Sequence, residues 1–98
     1  MLRKVVLDHN GHLYNGTIRN ISTTGALIEG LWNVPVGTIF RVQISQSHTV
    51  TCTTRWSEED RMGVEFANAL TRDSAGRIAA LQGAVPRQVR KEELKKAG

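Results

Sequence analysis

Apolar and polar residues alternate in short runs along most of this chain, the period-two pattern of half-buried strands. Val5-Val6-Leu7 opens the first run, and Asn10-Gly11 interrupts it with a strong two-residue hairpin signal. The return strand passes through Leu13, Gly16, Thr17 and Ile18 to Asn20. Asn15-Gly16 competes as the turn, but Asn10-Gly11 gives strands of matched length, and Gly16 then reads as a glycine marking a bulge. Gly25-Ala26-Leu27-Ile28-Glu29 is a short third strand ending at Gly30, and residues 31–37, with Pro35 and Gly37, form a loop. From Thr38 to Ile44 the alternation puts Phe40, Val42 and Ile44 on one face and Arg41 and Gln43 on the other. A turn at Gln46-Ser47-His48 leads into Thr49 to Trp56, where Val50, Cys52, Thr54 and Trp56 share a face. Glu58-Glu59-Asp60 is a solvated turn, and Met62-Gly63-Val64-Glu65-Phe66 is the last strand, with Met62, Val64 and Phe66 inward.

Six short strands separated by turn signals predict a small all-β barrel or sandwich. The pattern then changes. Asp73 or Ser74 can cap a helix whose apolar stripe is Ala75, Ile78, Ala79 and Leu81, with Gly83 ending it. That helix is expected to cover an open end or edge of the barrel. Pro86 can start a second helix from Arg87 to Lys96, with Glu92 and Lys96 four apart and few apolar residues to hold it down. The expected organisation is a barrel with its covering helix over residues 1–84 and a basic tail or short helix over 85–98.

Ninety-eight residues accommodate one domain with one modest core, and an apolar fraction of 40% argues against global disorder. No apolar run approaches the length of a membrane span, and the N-terminus lacks the pattern of a signal peptide. The abrupt start, Met1-Leu2-Arg3-Lys4 running straight into a strand, suggests a domain cut from a longer chain. The net charge of +4 is uneven: residues 1–84 carry eight basic against seven acidic side chains, and residues 85–98 carry five against two. A short basic tail is a weaker nucleic-acid signal than a basic face, and only 5% of residues are aromatic, leaving few to stack bases. A nucleic-acid-binding barrel using the tail therefore ranks third among the readings. Cys52 is the single cysteine; it has no disulfide partner, sits in an alternating run as a small core residue would, and fits a reducing cytoplasm.

Chemistry concentrates in Asn20-Ile21-Ser22-Thr23-Thr24-Gly25-Ala26-Leu27. Two-residue spacing on extended backbone sends the Asn20 and Ser22 side chains to one face, and Gly25 lets the chain turn or a ligand approach closely. Local turn capping is the plain alternative for both side chains. His9 and His12 flank the first turn and His48 lies in another, a pattern more typical of solvated turns than of a metal site. No His/Asp arrangement in the sequence activates Ser22, and no phosphate-cradling glycine loop is present. No catalytic centre and no cofactor are expected.

The stretch Asn20-x-Ser22-x-x-Gly25 after a hairpin resembles the (D/N)xSxxG motif of PilZ domains, bacterial receptors for cyclic di-GMP. Gly25-Ala26-Leu27-Ile28 resembles the strand that follows the motif in that family, and Val34-Pro35-Val36-Gly37-Thr38 its next loop. Arg55-Trp56 followed by Met62-Gly63-Val64-Glu65-Phe66 resembles the family's Trp and Gly-x-x-Phe pair, so the likeness spans roughly residues 4 to 67. The resemblance implies a six-stranded antiparallel Greek-key barrel followed by a helix, in agreement with the strand count. The family's second motif, RxxxR ahead of the first strand, is not present: only Arg3 and Lys4 occupy that region. Arginine grips a phosphate with two parallel hydrogen bonds and stacks on guanine, whereas lysine supplies charge alone. Trp56 is read as a core residue.

Carried over, the resemblance implies that Arg3, with Lys4, meets phosphate and a guanine face. Asn20 and Ser22 bond a guanine edge, and Gly25 keeps the backbone clear of the ligand. The first reading is thus a cytoplasmic bacterial sensor module that binds cyclic di-GMP, orders its N-terminal arm and changes the surface offered to a protein partner or attached effector domain. The second is a PilZ-like protein-interaction module that does not bind cyclic di-GMP.

Overall fold

In a computed structural model describing residues 1–90, the six strands close into one antiparallel barrel. They are β1 (Arg3–His9), β2 (His12–Ile21), β3 (Gly25–Glu29), β4 (Ile39–Ser45), β5 (His48–Glu58) and β6 (Arg61–Phe66). Around the barrel the order is β1-β2-β3-β6-β5-β4, and β4 pairs with β1 to complete the ring. The Greek-key crossover is the loop from Gly30 to Thr38, which carries the chain from β3 to β4 over one end of the barrel. It is tied there by Asn33 N–H to Glu59 O (2.9 Å) and Gly37 N–H to Thr54 O (2.8 Å). Asn10 and Gly11 both take positive φ (54° and 89°), the backbone a two-residue hairpin turn requires, so the first Asn-Gly is the turn. The second is not a bulge. Gly16 pairs regularly with Val5, and its missing side chain serves packing, since a Cβ there would lie 2.7 Å from Leu7 Cδ1 and 3.2 Å from Ile28 Cγ2.

Alternation fills the barrel as the sequence pattern predicts. Val5, Leu7, Ile18, Ile28, Val42, Ile44, Cys52 and Met62 are buried to 1% exposure or less, and Phe40, Val64 and Phe66 complete the core. Removing this apolar surface from water is the main stabilising term of the fold, at about 25 cal/mol per Å². Burial also pushes the Cys52 thiol up to about 12, partly offset by a backbone hydrogen bond from Phe40, so this cysteine is a protonated core residue.

The helix expected after β6 is reduced to a single 3-10 turn, Ala79–Gln82. Asp73 does cap, but it closes a loop: its Oδ1 accepts from Ala75 N–H (2.9 Å) and Arg77 N–H (3.0 Å). Gly76 at φ +80° and an extended Ile78, bridged to Arg72, interrupt the helical path. A run this short has little helical stability of its own, and burying Ile78 and Ala80 against the barrel decides its conformation. Gly83 does end the turn, but in extended rather than left-handed conformation (φ −83°); a Cβ there would lie 2.8 Å from Ser45 Oγ.

No helix starts at Pro86: residues 84–90 have neither helix nor strand, and the rest of the expected second helix lies outside the described residues. Instead this segment, here called the strap, lies along the barrel wall. Gln46 N–H donates to Ala84 O (2.9 Å), and the Asn15 carboxamide pairs at two points with Val89, Nδ2 to O (2.7 Å) and N–H to Oδ1 (2.8 Å). Pro86 and Val89 are buried. No helix among the described residues is long and apolar enough to cross a membrane.

Candidate ligand groove

Two bulges determine which side chains reach the outer surface of the barrel. In β2 the register slips at Arg19, so that Ile18 opposes Ile28 inside while Asn20 opposes Leu27 outside. In β5 the same happens at Arg55: Thr54 opposes Val64 inside, and Trp56 opposes Gly63 outside. An extra residue in one strand reverses the facing of everything beyond it. The strict alternation expected from Val50 to Trp56 therefore fails at its end. Cys52 and Thr54 are fully buried, but Trp56 is 44% exposed and is not a core residue.

The two slips align with each other. Asn20 pairs with Leu27, Leu27 with Gly63, and Gly63 with Trp56, one row across four strands on the outer face. At about 4.8 Å per strand step the row is about 14 Å long. Gly63 has to be glycine in this row, because a Cβ would enter the Trp56 indole. The row floors an open groove of about 440 Å³, walled at one end by Asn20, Ser22 and Gly25 and at the other by Arg55 and Trp56. Arg55 Nη2 is 2.8 Å from Glu65 Oε1, both side chains more than half exposed. Such a pair contributes only about 0.2–1 kcal/mol, so Arg55 is readily redirected to a stronger anion.

The connection from β2 to β3 takes its shape from Ser22. Its Oγ accepts from Thr24 N–H (3.2 Å) and Gly25 N–H (3.3 Å), while Ser22 N–H donates to Gly25 O (2.9 Å). This is the local capping geometry of a hydroxyl closing a turn. Gly25 packs against β6, where a Cβ would lie 2.5 Å from Val64 O, so its lack of a side chain is already required by the barrel. Asn20 Oδ1 accepts from Ile21 N–H (3.0 Å), and its Nδ2 has no protein partner among the described residues.

Arg3 and Lys4 separate. Lys4 points outward, its Nζ 3.5 Å from Thr17 Oγ1, into a hollow of about 330 Å³ lined also by Leu2, Arg19 and Glu29. Arg19 Nε is 3.0 Å from Glu29 Oε1 there. On the outer face Glu29 lies two residues along β3 from Leu27, so this hollow adjoins the groove. Arg3 alternates with Val5 and Leu7 and turns to the end of the barrel. Its guanidinium donates to three backbone carbonyls, Ile44 O (2.9 Å), Leu81 O (3.2 Å) and Gly83 O (2.8 Å). Asn20, Ser22 and Gly25 are thus brought together, Lys4 stands beside them, and Arg3 is engaged elsewhere. Trp56 and Arg55 are the groove residues that sequence reasoning missed. The signal for them was Gly63, a glycine in a strand facing the position where a tryptophan needs room.

A family model for the PilZ domain matches residues 1–82. No curated protein and no solved structure matches the chain. PilZ domains are binding modules of bacterial signalling. The barrel, its Greek-key order and the matched residues agree, and the chain belongs to the PilZ domain family.

Proposed function

We propose that this PilZ domain is a receptor module for cyclic di-GMP, with a guanine seated over the Leu27–Gly63 floor against the Trp56 indole. The observation that carries the reading is the row from Asn20 to Trp56, which joins the family's motif to an exposed aromatic face in one groove. Asn20 Nδ2 supplies a donor for the guanine edge. Ser22 and Gly25 hold the turn that fixes Asn20 beside the groove. Lys4 and Arg19 in the adjoining hollow, with Arg55 at the far wall, supply positive charge for the phosphates. Arg3 already has three carbonyl partners, which supports giving the phosphate contact to Lys4. Ligand on this face draws the residues ahead of β1 onto it and changes the surface offered to a protein partner or attached domain.

Calorimetric titration with cyclic di-GMP tests the reading. The expected result is saturable binding that Trp56→Ala weakens by roughly five- to 150-fold, the worth of one base–aromatic stack. Ser22→Ala weakens it as well, by loosening the turn. A folded wild-type chain that produces no heat at high ligand concentration sinks the proposal and leaves an interaction module without the dinucleotide.

A further inference from the structure

We infer that the outer face of β1 and β2 is a docking groove for an extended peptide of the form Pro-x-x-Val, occupied here by the chain's own strap. The seat reads main chain more than side chain. The Asn15 carboxamide reproduces a β-ladder rung with Val89, donating to its carbonyl and accepting from its N–H. Arg3 takes the carbonyl of Gly83, and Gln46 N–H that of Ala84. None of these contacts depends on which side chain the bound segment carries, the situation in which a receptor accepts an extended peptide from another chain.

Apolar side-chain selection falls on two positions, and Gln88 adds a polar contact through its Nε2 to Val5 O (3.4 Å). Pro86 and Val89, three apart, are the buried residues of the strap. Beneath them Val6, which alternation turns to the outside of the barrel opposite Asn15, is only 7% exposed. An outward valine on a barrel strand is buried only if something covers it, and the strap is the element that meets its neighbours Val5 and Asn15. Proline holds the segment extended, which lowers the entropy lost on docking. The strap itself has neither helix nor strand, so detaching it breaks only its contacts with the barrel, an opening far less costly than global unfolding. A partner that presents the same proline and valine on an extended backbone satisfies Asn15, the Gln46 N–H and the Arg3 guanidinium as the strap does, and a glutamine just before the valine also meets Val5 O.

The test is exchange in solution. A fluorescein-labelled peptide with the sequence of residues 83–90, Gly-Ala-Val-Pro-Arg-Gln-Val-Arg, is titrated by polarisation against the full chain and its Val89→Asp variant. Aspartate cannot occupy the apolar seat, so the variant frees the groove. The expected result is at least about tenfold tighter uptake by the variant than by wild type, the factor by which a closed strap taxes binding when it is seated about nine-tenths of the time. Uptake disappears when Asn15→Leu is added or when the peptide's own second valine is replaced by aspartate. A cooperatively melting Val89→Asp chain that takes up no peptide overturns the inference. Pro86→Ser, a milder loosening of the same seat, is read in the same way should Val89→Asp not fold. A concentration-dependent wild-type dimer on gel filtration, with no peptide uptake by either variant, assigns the groove to a second copy's strap and overturns it equally.

Discussion

Asn15 and Asn20 project from the same strand onto the same outer surface, roughly 16 Å apart at 3.3 Å per residue, and the chain uses them in opposite ways. On the Asn15 side the strap covers the wall: the carboxamide spends both its polar atoms on Val89, and Val6 beneath is dry. On the Asn20 side the wall is open, the Nδ2 has no partner among the described residues, and an indole stands exposed over a glycine. The chemistry of the two side chains is the same. What differs is whether the polypeptide supplies the complementary backbone, and only an uncompleted site is available to a small ligand. The positive charges divide in the same manner. Arg3 is committed to neutral carbonyls at the closed end, while on the open face Lys4 meets only the Thr17 hydroxyl, Arg19 pairs with a half-buried Glu29, and Arg55 sits in an exposed, weakly held ion pair.

The comparison breaks most severely at Arg3. Arg3→Ala strands three carbonyls and releases the strap's near end, and urea denaturation is expected to show about 3 kcal/mol of lost stability. Among molecules that remain folded, cyclic di-GMP affinity should change by less than about threefold, or about 0.65 kcal/mol; a larger loss would return Arg3 to the ligand site. Asn15→Ala removes the two-point pairing with Val89 and is expected to cost about 2 kcal/mol in the same assay, again without effect on the dinucleotide. On the open side the sign reverses. Gly63→Ala forces the indole off its seat, and a roughly tenfold weaker dinucleotide affinity, about 1.4 kcal/mol, is expected with a melt close to wild type. A melt that falls while affinity holds would show Trp56 to be structural.

The smallest effect is one of pH. The backbone N–H of Arg77, then that of Ala75, and the Arg77 guanidinium hold the Asp73 carboxyl below its ordinary range. A depressed carboxylate stabilises the folded state at neutral pH, and the contribution fades as pH falls through the folded value. Native-state amide exchange should therefore show the 72–78 loop losing protection on acidification before the barrel does, and Asp73→Asn should abolish that pH dependence.

Much of this was legible in the chain. Strand number and the first hairpin followed from alternation and from Asn10-Gly11, because period-two burial and a positive-φ turn are local requirements that the residues state directly. The family followed from Asn20, Ser22, Gly25 and the later Trp56 and Gly63, whose spacing survives any change in register. The helix after β6 was misread because capping and an apolar stripe are local signals, whereas the conformation of Ile78 was decided by where the barrel had room to bury it. Trp56 was misread for a related reason. A bulge is one residue whose cost or gain depends on the partner strand, so alternation along β5 alone carries no trace of it.

The sequence by itself determined the strands, their inward faces as far as the two bulges, and the Asn20-x-Ser22-x-x-Gly25 stretch, since each depends on side chains a few positions apart. Tertiary structure alone decided that Arg3 faces three carbonyls from β4 and the C-terminal region, that Asn15 meets Val89, and that Asn20 and Trp56 stand in one row. The hydrogen-bonded contacts among them join residues as far as 80 positions apart, and only closure of the barrel brings such distant residues onto one surface.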